Sequence, residues 1–443
     1  MTARRVSIVT LGCEKNLVDS EVMSGLIEQK GYIMTEDPEE ADVVIVNTCA
    51  FIDVAKQESV DTILQMADVK VRNSSKKLLV AGCMVQRFAD QLLDEIPEID
   101  GVVGTGEFPR ITELIERTES GERLKFVGNP VYLYNELTPR KLPEQIFSAY
   151  VKIAEGCDHQ CTFCVIPQMR GKFRSRLIES VVREVTELSS RGVKEINLIA
   201  QDTTQYGYDL YGKRRLPDLL RALNEVPDIE WIRLHYAYPG YFTDELIEAF
   251  RDLPKVVKYI DLPLQHSEDH ILRSMQRPGH QLQTRKLISK IRENIPEAVI
   301  RTSIIVGFPG ETEADFDQLK RFVQDLAFDH IGVFTYSAEE EAPSSRFQDQ
   351  VDDAVKERRA NELMEIARLV AAKRLERHIG QVIPVLIEEE NADQDGEYVG
   401  RTPFDAREID GVVHVLGKDL QVGSIVPVHI THSLEFDLVG EVI

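Results

Sequence analysis

Nine short aliphatic runs, each followed by a stretch with helical spacing, constrain this chain more than any other feature. Three come first: VSIVTLGC ending at Cys13, ADVVIVNTC at Cys49 and KLLVAGC at Cys83. The helical stretches that follow them are 17–29, 54–67 and 85–95. Short runs without polar alternation read as strands buried on both faces, and strands alternating with helices build parallel sheets through right-handed crossovers. In such a sheet every strand ends at the same edge, where open α/β folds bind their ligands. Cys13, Cys49 and Cys83 are therefore expected to converge there from separate loops.

Six more runs start at residue 148: AYVKIAEG, EINLIAQD, WIRLHYAYP, VKYIDLPLQ, VIRTSIIVGFPG and DHIGVFTYS. Helical stretches separate them, for example 178–191, 216–225, 243–252, 268–275, 281–294 and 312–325. Six βα units in series predict an open, partial (βα)6 barrel with its working residues on the loops after the strands. The polar stretch 135–146, with two prolines, reads as a linker. A long charged helix is expected over 352–378, and the short alternating strands and turn glycines from 381 onward predict a small antiparallel β-barrel. The expected fold is α/β in three domains: 1–135, 146–378 and 379–443.

Composition narrows the function classes. The 443 residues are 43% hydrophobic and 29% charged, which excludes a disordered or fibrous chain. No apolar run approaches the roughly 18 residues needed to cross a bilayer. The first run is broken by Thr10 and Gly12, so it reads as a strand and not as a signal peptide. A net charge of −23 makes the chain a poor general binder of nucleic acid and a better match for a basic partner. Six cysteines without an export signal point to the cytoplasm, where clustered cysteines mean metal or catalysis.

The sharpest motif is EGCDHQCTFCVIP, with Cys157, Cys161 and Cys164 spaced C-x3-C-x2-C and Phe163 before the last. Thiolates at that spacing wrap one soft metal centre from a single loop. A 4Fe-4S cluster held by protein alone takes four cysteines, so three would leave one iron open. The alternatives are a zinc site completed by His159 or a distant residue, and three unligated thiols. This motif, opening a six-unit βα barrel, resembles the radical S-adenosylmethionine (SAM) enzymes. The resemblance implies that the open iron binds the amino and carboxylate groups of SAM, and that an electron from the cluster cleaves it to a 5′-deoxyadenosyl radical. With the N-terminal trio and the terminal barrel, the whole chain is similar to the methylthiotransferases within that superfamily. That likeness implies two 4Fe-4S clusters, one on Cys157, Cys161 and Cys164 and an auxiliary one on Cys13, Cys49 and Cys83, and a terminal TRAM barrel.

Other segments carry weaker signals. TSIIVGFPGET resembles the family's turn near the SAM adenosine, and Gly307 and Gly310 would let backbone approach a ligand. Gln201 and Asp202 stand where many radical SAM enzymes bind the methionine amine, and Gln265 and His266 fall at a strand end. MRGKFRSR (169–176) is either a solvated basic stretch or a guide for an anionic group. Glu388, Glu389 and Glu390 read as solvated surface. No residue is singled out as a catalytic acid or base.

Within the family, LGCEKNLVDSE, AQDTTQYGYDLYG and YVGRTPFDAREIDG resemble the branch that modifies an aspartate of the twelfth small-subunit ribosomal protein. The tRNA-adenosine branch typically has GCQMN and GQNVNSYG at the matching places. Glu14 departs from the first pattern, where proline is usual, which puts the local turn in question. Residues 381–443 carry 13 carboxylates against Arg401, Arg407 and Lys418, which suits a basic ribosomal protein better than RNA. The likeness implies that one SAM methylates sulfur at the auxiliary site and a second yields the radical that opens the aspartate β-carbon. It also implies a separate electron donor of the reductase or flavodoxin type. An iron–sulfur electron carrier and an RNA-binding module are the readings from other classes.

Overall fold

The computed structural model describes residues 4–277, 279–391, 394 and 396–443. Met1–Ala3 of the first expected domain and Asp393 and Asp395 of the acidic terminal segment lie outside the described residues. The first layer is a six-stranded sheet of β1 (Arg5–Thr10), β2 (Ile33–Met34), β3 (Val43–Thr48), β4 (Lys77–Gly82), β5 (Gly101–Val103) and β6 (Leu124–Phe126). Its order is β2-β1-β3-β4-β5-β6 and every pairing is parallel. The three aliphatic runs form its centre, where β3 is buried along its whole length. Strands β2, β5 and β6 are only two or three residues long, too short for periodicity to reveal.

The second sheet is an open barrel. After β7 (Ser148–Lys152), β8 (Ala154–Glu155) and β9 (Arg174–Ser175) form an antiparallel clasp around the cysteine loop. Strands β10 (Glu195–Ile199), β11 (Trp231–Leu234), β12 (Val256–Asp261), β13 (Val299–Val306) and β14 (His330–Thr335) then follow β7 in order, all parallel. Strands β7 and β14 stand at opposite edges, so the barrel does not close. Helices lie where the periodicity puts them, for example Ile178–Ser190, Gln281–Asn294 and Glu313–Leu326, the last begun by a Thr312–Asp315 capping box.

Strands β15 (Val382–Glu390), β16 (Glu397–Arg401), β17 (Val413–Leu416), β18 (Ile425–Ser433) and β19 (Leu438–Val442) make a closed barrel. The expected antiparallel pattern holds except between β17 and β19, which pair in parallel. This barrel seals the end of the second sheet where the strands begin. Trp231, Val257 and Val299 pack there on Leu386 and Ala406.

Residues 135–146 join the two layers without helix or strand, and Arg140, buried between Glu21 (2.6 Å) and Glu184 (2.9 Å), straps the first layer to the barrel. One expectation needs correction. Glu388 is not free surface, since Arg401 holds it at 2.8 Å, while Glu389 and Glu390 are exposed.

Arg401 also reaches Glu195 at 2.6 Å, and Arg233 meets the same carboxylate at 2.9 Å, all fully buried. Burial pushes the Glu195 acid up, but the Arg401 and Arg233 charges outweigh it and hold the group well below the usual carboxylate range. Removing one partner of a buried pair typically costs about 3–5 kcal/mol. We expect Arg401→Gln to lose about that much at pH 7 in urea unfolding followed at Trp231, the single tryptophan, which packs at this interface. The deficit should shrink toward acid pH, because Glu195 of the variant, held by Arg233 alone, takes up a proton at a higher pH than the native group, which both arginines hold well below the usual carboxylate range. A constant deficit across pH would contradict this assignment.

Candidate metal centres and cofactor site

Strands β1, β3 and β4 are neighbours, and their ends deliver the first three cysteines to one edge, as the sequence implied. Cys13 caps helix Glu14–Gln29, Cys49 directly follows β3, and Cys83 opens helix Cys83–Glu95. Two glycines make this crowding possible. Gly12 has φ +86°, and a Cβ there would lie 2.6 Å from that of Cys49. Gly82 has φ +96°, and a Cβ would lie 2.4 Å from Asn47 Oδ1. Asn16 ties the loops together, donating to Leu11 O (2.9 Å) and Thr48 O (3.0 Å), while its Oδ1 faces the Cys83 sulfur at 3.8 Å.

The second trio leaves β8 on the corresponding edge of the barrel. Cys157 N donates to Gly171 O at 3.0 Å, and Thr162 N to Met275 O at 3.0 Å, fixing both ends of the loop. Phe163 packs with Ile271, Met275, Phe308 and Tyr336, so the cysteine loop leans on the turn after β13. Arg277 Nη1 stands 3.8 Å from the Cys161 sulfur, and its guanidinium covers Tyr238 at 4.6 Å.

Each trio offers three unpaired thiols on neighbouring loops, a soft donor set that suits an iron–sulfur centre with one position left open. His159, the alternative zinc ligand, is instead engaged with Asp202 Oδ2 at 2.7 Å and stacked on Tyr238 at 4.2 Å. Burial pushes the Cys83, Cys157 and Cys164 thiols up to about 12, so they are neutral until a metal displaces the proton.

The remaining candidates all lie on loops at the same barrel edge, with unequal freedom. Gln201 Nε2 donates to Glu155 Oε1 at 2.6 Å, but its buried Oε1 has no partner. Asp202 is fully engaged: one oxygen takes His159 and the other caps Thr204 and Gln205. Gln265, at φ +73°, carries the β12 ladder onward through Ser303 O and Ile305 N. His266 is buried, 3.3 Å from Glu311, which Arg359 holds at 2.8 Å. Gly307 is approached by the Lys356 side chain, and Gly310 faces open space.

The basic stretch 169–176 divides: Lys172 is exposed and Arg174 half-buried, while Arg170 and Arg176 are buried in ion pairs. Arg176 is buried against Glu184, and Arg170 crosses into the first layer, reaching Asp19 at 2.6 Å. The Glu14 turn is regular: Cys13 is extended, and Glu14 starts the helix with its carboxylate on Lys15 (3.3 Å) and the Tyr236 hydroxyl. Burial raises that acid, yet Lys15 and Tyr236 more than offset it and bring it to about 2. Asn16, Asp19, Lys152, Glu155 and Arg277 escaped the sequence reading. The one visible clue was the run of polar residues behind Cys13, where an amphipathic helix should bury apolar ones.

Comparison with known proteins agrees with this architecture. Family models match in three places: uncharacterized protein family UPF0004 at 5–104, the radical SAM superfamily at 151–323 and the TRAM domain at 379–443. The radical SAM methyltransferase TsrM of Kitasatospora setae, solved with cobalamin and a [4Fe-4S] cluster, shares the fold at TM-score 0.56 and 14% identity, over 75% of this chain and 72% of that one. The cobalamin-dependent radical enzyme OxsB aligns at TM-score 0.54 and 11% identity, over 83% and 58%. Much closer in sequence are proteins named ribosomal protein uS12 methylthiotransferase RimO. That of Crocosphaera subtropica is 48% identical and that of Clostridioides difficile 44%, each covering 99% of both chains. With that identity sustained from end to end, the chain belongs to the RimO family of ribosomal protein uS12 methylthiotransferases.

Proposed function

We propose that this chain is a two-cluster radical SAM methylthiotransferase, acting in the cytoplasm on an aspartate β-carbon of ribosomal protein uS12. The observation that carries the reading is the delivery of two separate cysteine trios to loops that pack on a shared core, in a chain related to RimO proteins along its whole length. Bound 4Fe-4S clusters would supply the electron that cleaves SAM at one trio and an open iron for sulfur at the other.

The chain's own residues do the rest. Cys157, Cys161 and Cys164 would hold the SAM cluster, with Arg277 as the neighbouring positive charge. The orphaned Gln201 Oε1 is suited to accept from the SAM ammonium, a task Asp202 is too committed to share. Tyr238, whose buried hydroxyl also lacks a partner, forms an aromatic wall with His159, and Phe163 with Phe308 keeps water from the loop. Cys13, Cys49 and Cys83 would hold the auxiliary cluster. The electron comes from a separate donor of the reductase or flavodoxin type.

Charge favours a basic polypeptide as the partner. Of the terminal barrel's three cations, Arg401 is buried in ion pairs, leaving Arg407 and Lys418 among the carboxylates. Because the TRAM match brings RNA into consideration, the test sets the two substrates side by side. Anaerobically reconstituted chain should add a methylthio mass to uS12 and none to tRNA. The rate should fall with salt and in Glu389→Gln/Glu390→Gln. Modification of tRNA instead would overturn the assignment.

Cluster number is tested by iron. The intact chain should bind about eight irons, two clusters of four. Replacing Cys157, Cys161 and Cys164 with Ala should halve that and abolish SAM cleavage. Replacing Cys13, Cys49 and Cys83 should also halve it while deoxyadenosine still forms. Full iron in the second variant would refute the auxiliary site.

A further inference from the structure

The two trios sit on different layers, and a buried chain of charges runs from the N-terminal trio across the seam to Gln201 on the barrel edge. Arg170 closes the short helix Ile166–Arg170, which begins two residues after Cys164. Its Nη1 donates to Asp19 Oδ2 at 2.6 Å and its Nη2 to Asn16 Oδ1 at 2.5 Å. That Asn16 oxygen is the one facing the Cys83 sulfur, and the same side chain holds the loops leading to Cys13 and Cys49. The other Asp19 oxygen accepts from Lys152 at 2.5 Å, Lys152 reaches Glu155 at 2.8 Å, and Glu155 takes Gln201 at 2.6 Å. Arg170, Asp19, Lys152 and Glu155 are each at most 7% exposed.

Arg170 lies within electrostatic reach of all three N-terminal thiols. It is carried entirely by the barrel side of the seam. A guanidinium is always charged, and its planar fork holds Asp19 and Asn16 in one fixed geometry, whereas an ammonium is a point charge with freely rotating donors. Outer-sphere charge and hydrogen bonds set the potential of a bound cluster and the orientation of its ligands.

We propose that Arg170 is a positioning residue for the N-terminal cysteine trio, locking Asn16 and supplying from the barrel side the counter-charge that tunes a cluster bound to Cys13, Cys49 and Cys83. This rests on the two-cluster reading above. Two cations and two carboxylates balance in the chain, so deleting either sign should move the potential in opposite directions.

The test uses the full-length chain with Cys157, Cys161 and Cys164 replaced by Ala, so that only the N-terminal cluster reports. Its midpoint potential is followed by EPR-monitored redox titration. Arg170→Gln should disfavour reduction at least tenfold, about 59 mV for one electron. Asp19→Asn should shift it the other way, and Arg170→Lys should recover most of the charge effect with an altered EPR line shape, since the fork is lost. Cluster loss from Arg170→Gln, with retention in Arg170→Lys, would also support the proposal. Unchanged potentials, or shifts of the same sign in Arg170→Gln and Asp19→Asn, would overturn it. Absence of any cluster in the parent variant would count against the two-cluster reading itself.

Discussion

Helix Glu14–Gln29 buries charge where most helices bury apolar surface, and the assembly depends on that inversion. Val18, Val22, Met23 and Ile27 join the core of the first layer. Interleaved with them around the helix, Glu14, Asn16, Asp19 and Glu21 meet Tyr236, Arg170 and Lys152 of the barrel and Arg140 of the strap. Buried ionic groups are a weak source of net stability, but each fixes one geometry, because a slipped contact leaves a charge unpaired. The seam thereby holds the two parallel sheets together beside the loops that carry Cys83 and Cys164.

That arrangement explains why the loops can be so spare. Each trio needs only short turns because three neighbouring strands, or one clasp between β8 and β9, already place the sulfurs. Helices Cys83–Glu95 and Ile166–Arg170 each start at or just after a cysteine, and Val165 and Met169 share a core with Cys83 and Met84. The terminal barrel sits at the opposite end of the strands and is tied on by Glu195 and Arg401, so the cysteine edges stay clear of it.

Much of this was legible in the sequence because its signals are local. Aliphatic runs ending in Cys13, Cys49 and Cys83 gave strand, edge and donor at once, and helices such as Gln281–Asn294 and Ile178–Ser190 fell on their periodicity. What stayed hidden depends on partners far apart in the chain. Arg170 read as one of four cations until Asp19, 151 residues away, was seen to hold it. Asp202 read as a cofactor ligand because nothing in the sequence reveals that His159 and two backbone amides already occupy it. The stretch 135–146 read as a linker from its prolines, although Arg140 makes it a strap.

The central claim is that one buried seam holds the two trios close to each other. Two paramagnetic centres held that way should couple. In the full chain with both clusters reduced, the EPR spectrum should show broadening that vanishes when either trio is replaced by Ala. A spectrum equal to the sum of the two single-cluster variants would contradict the account.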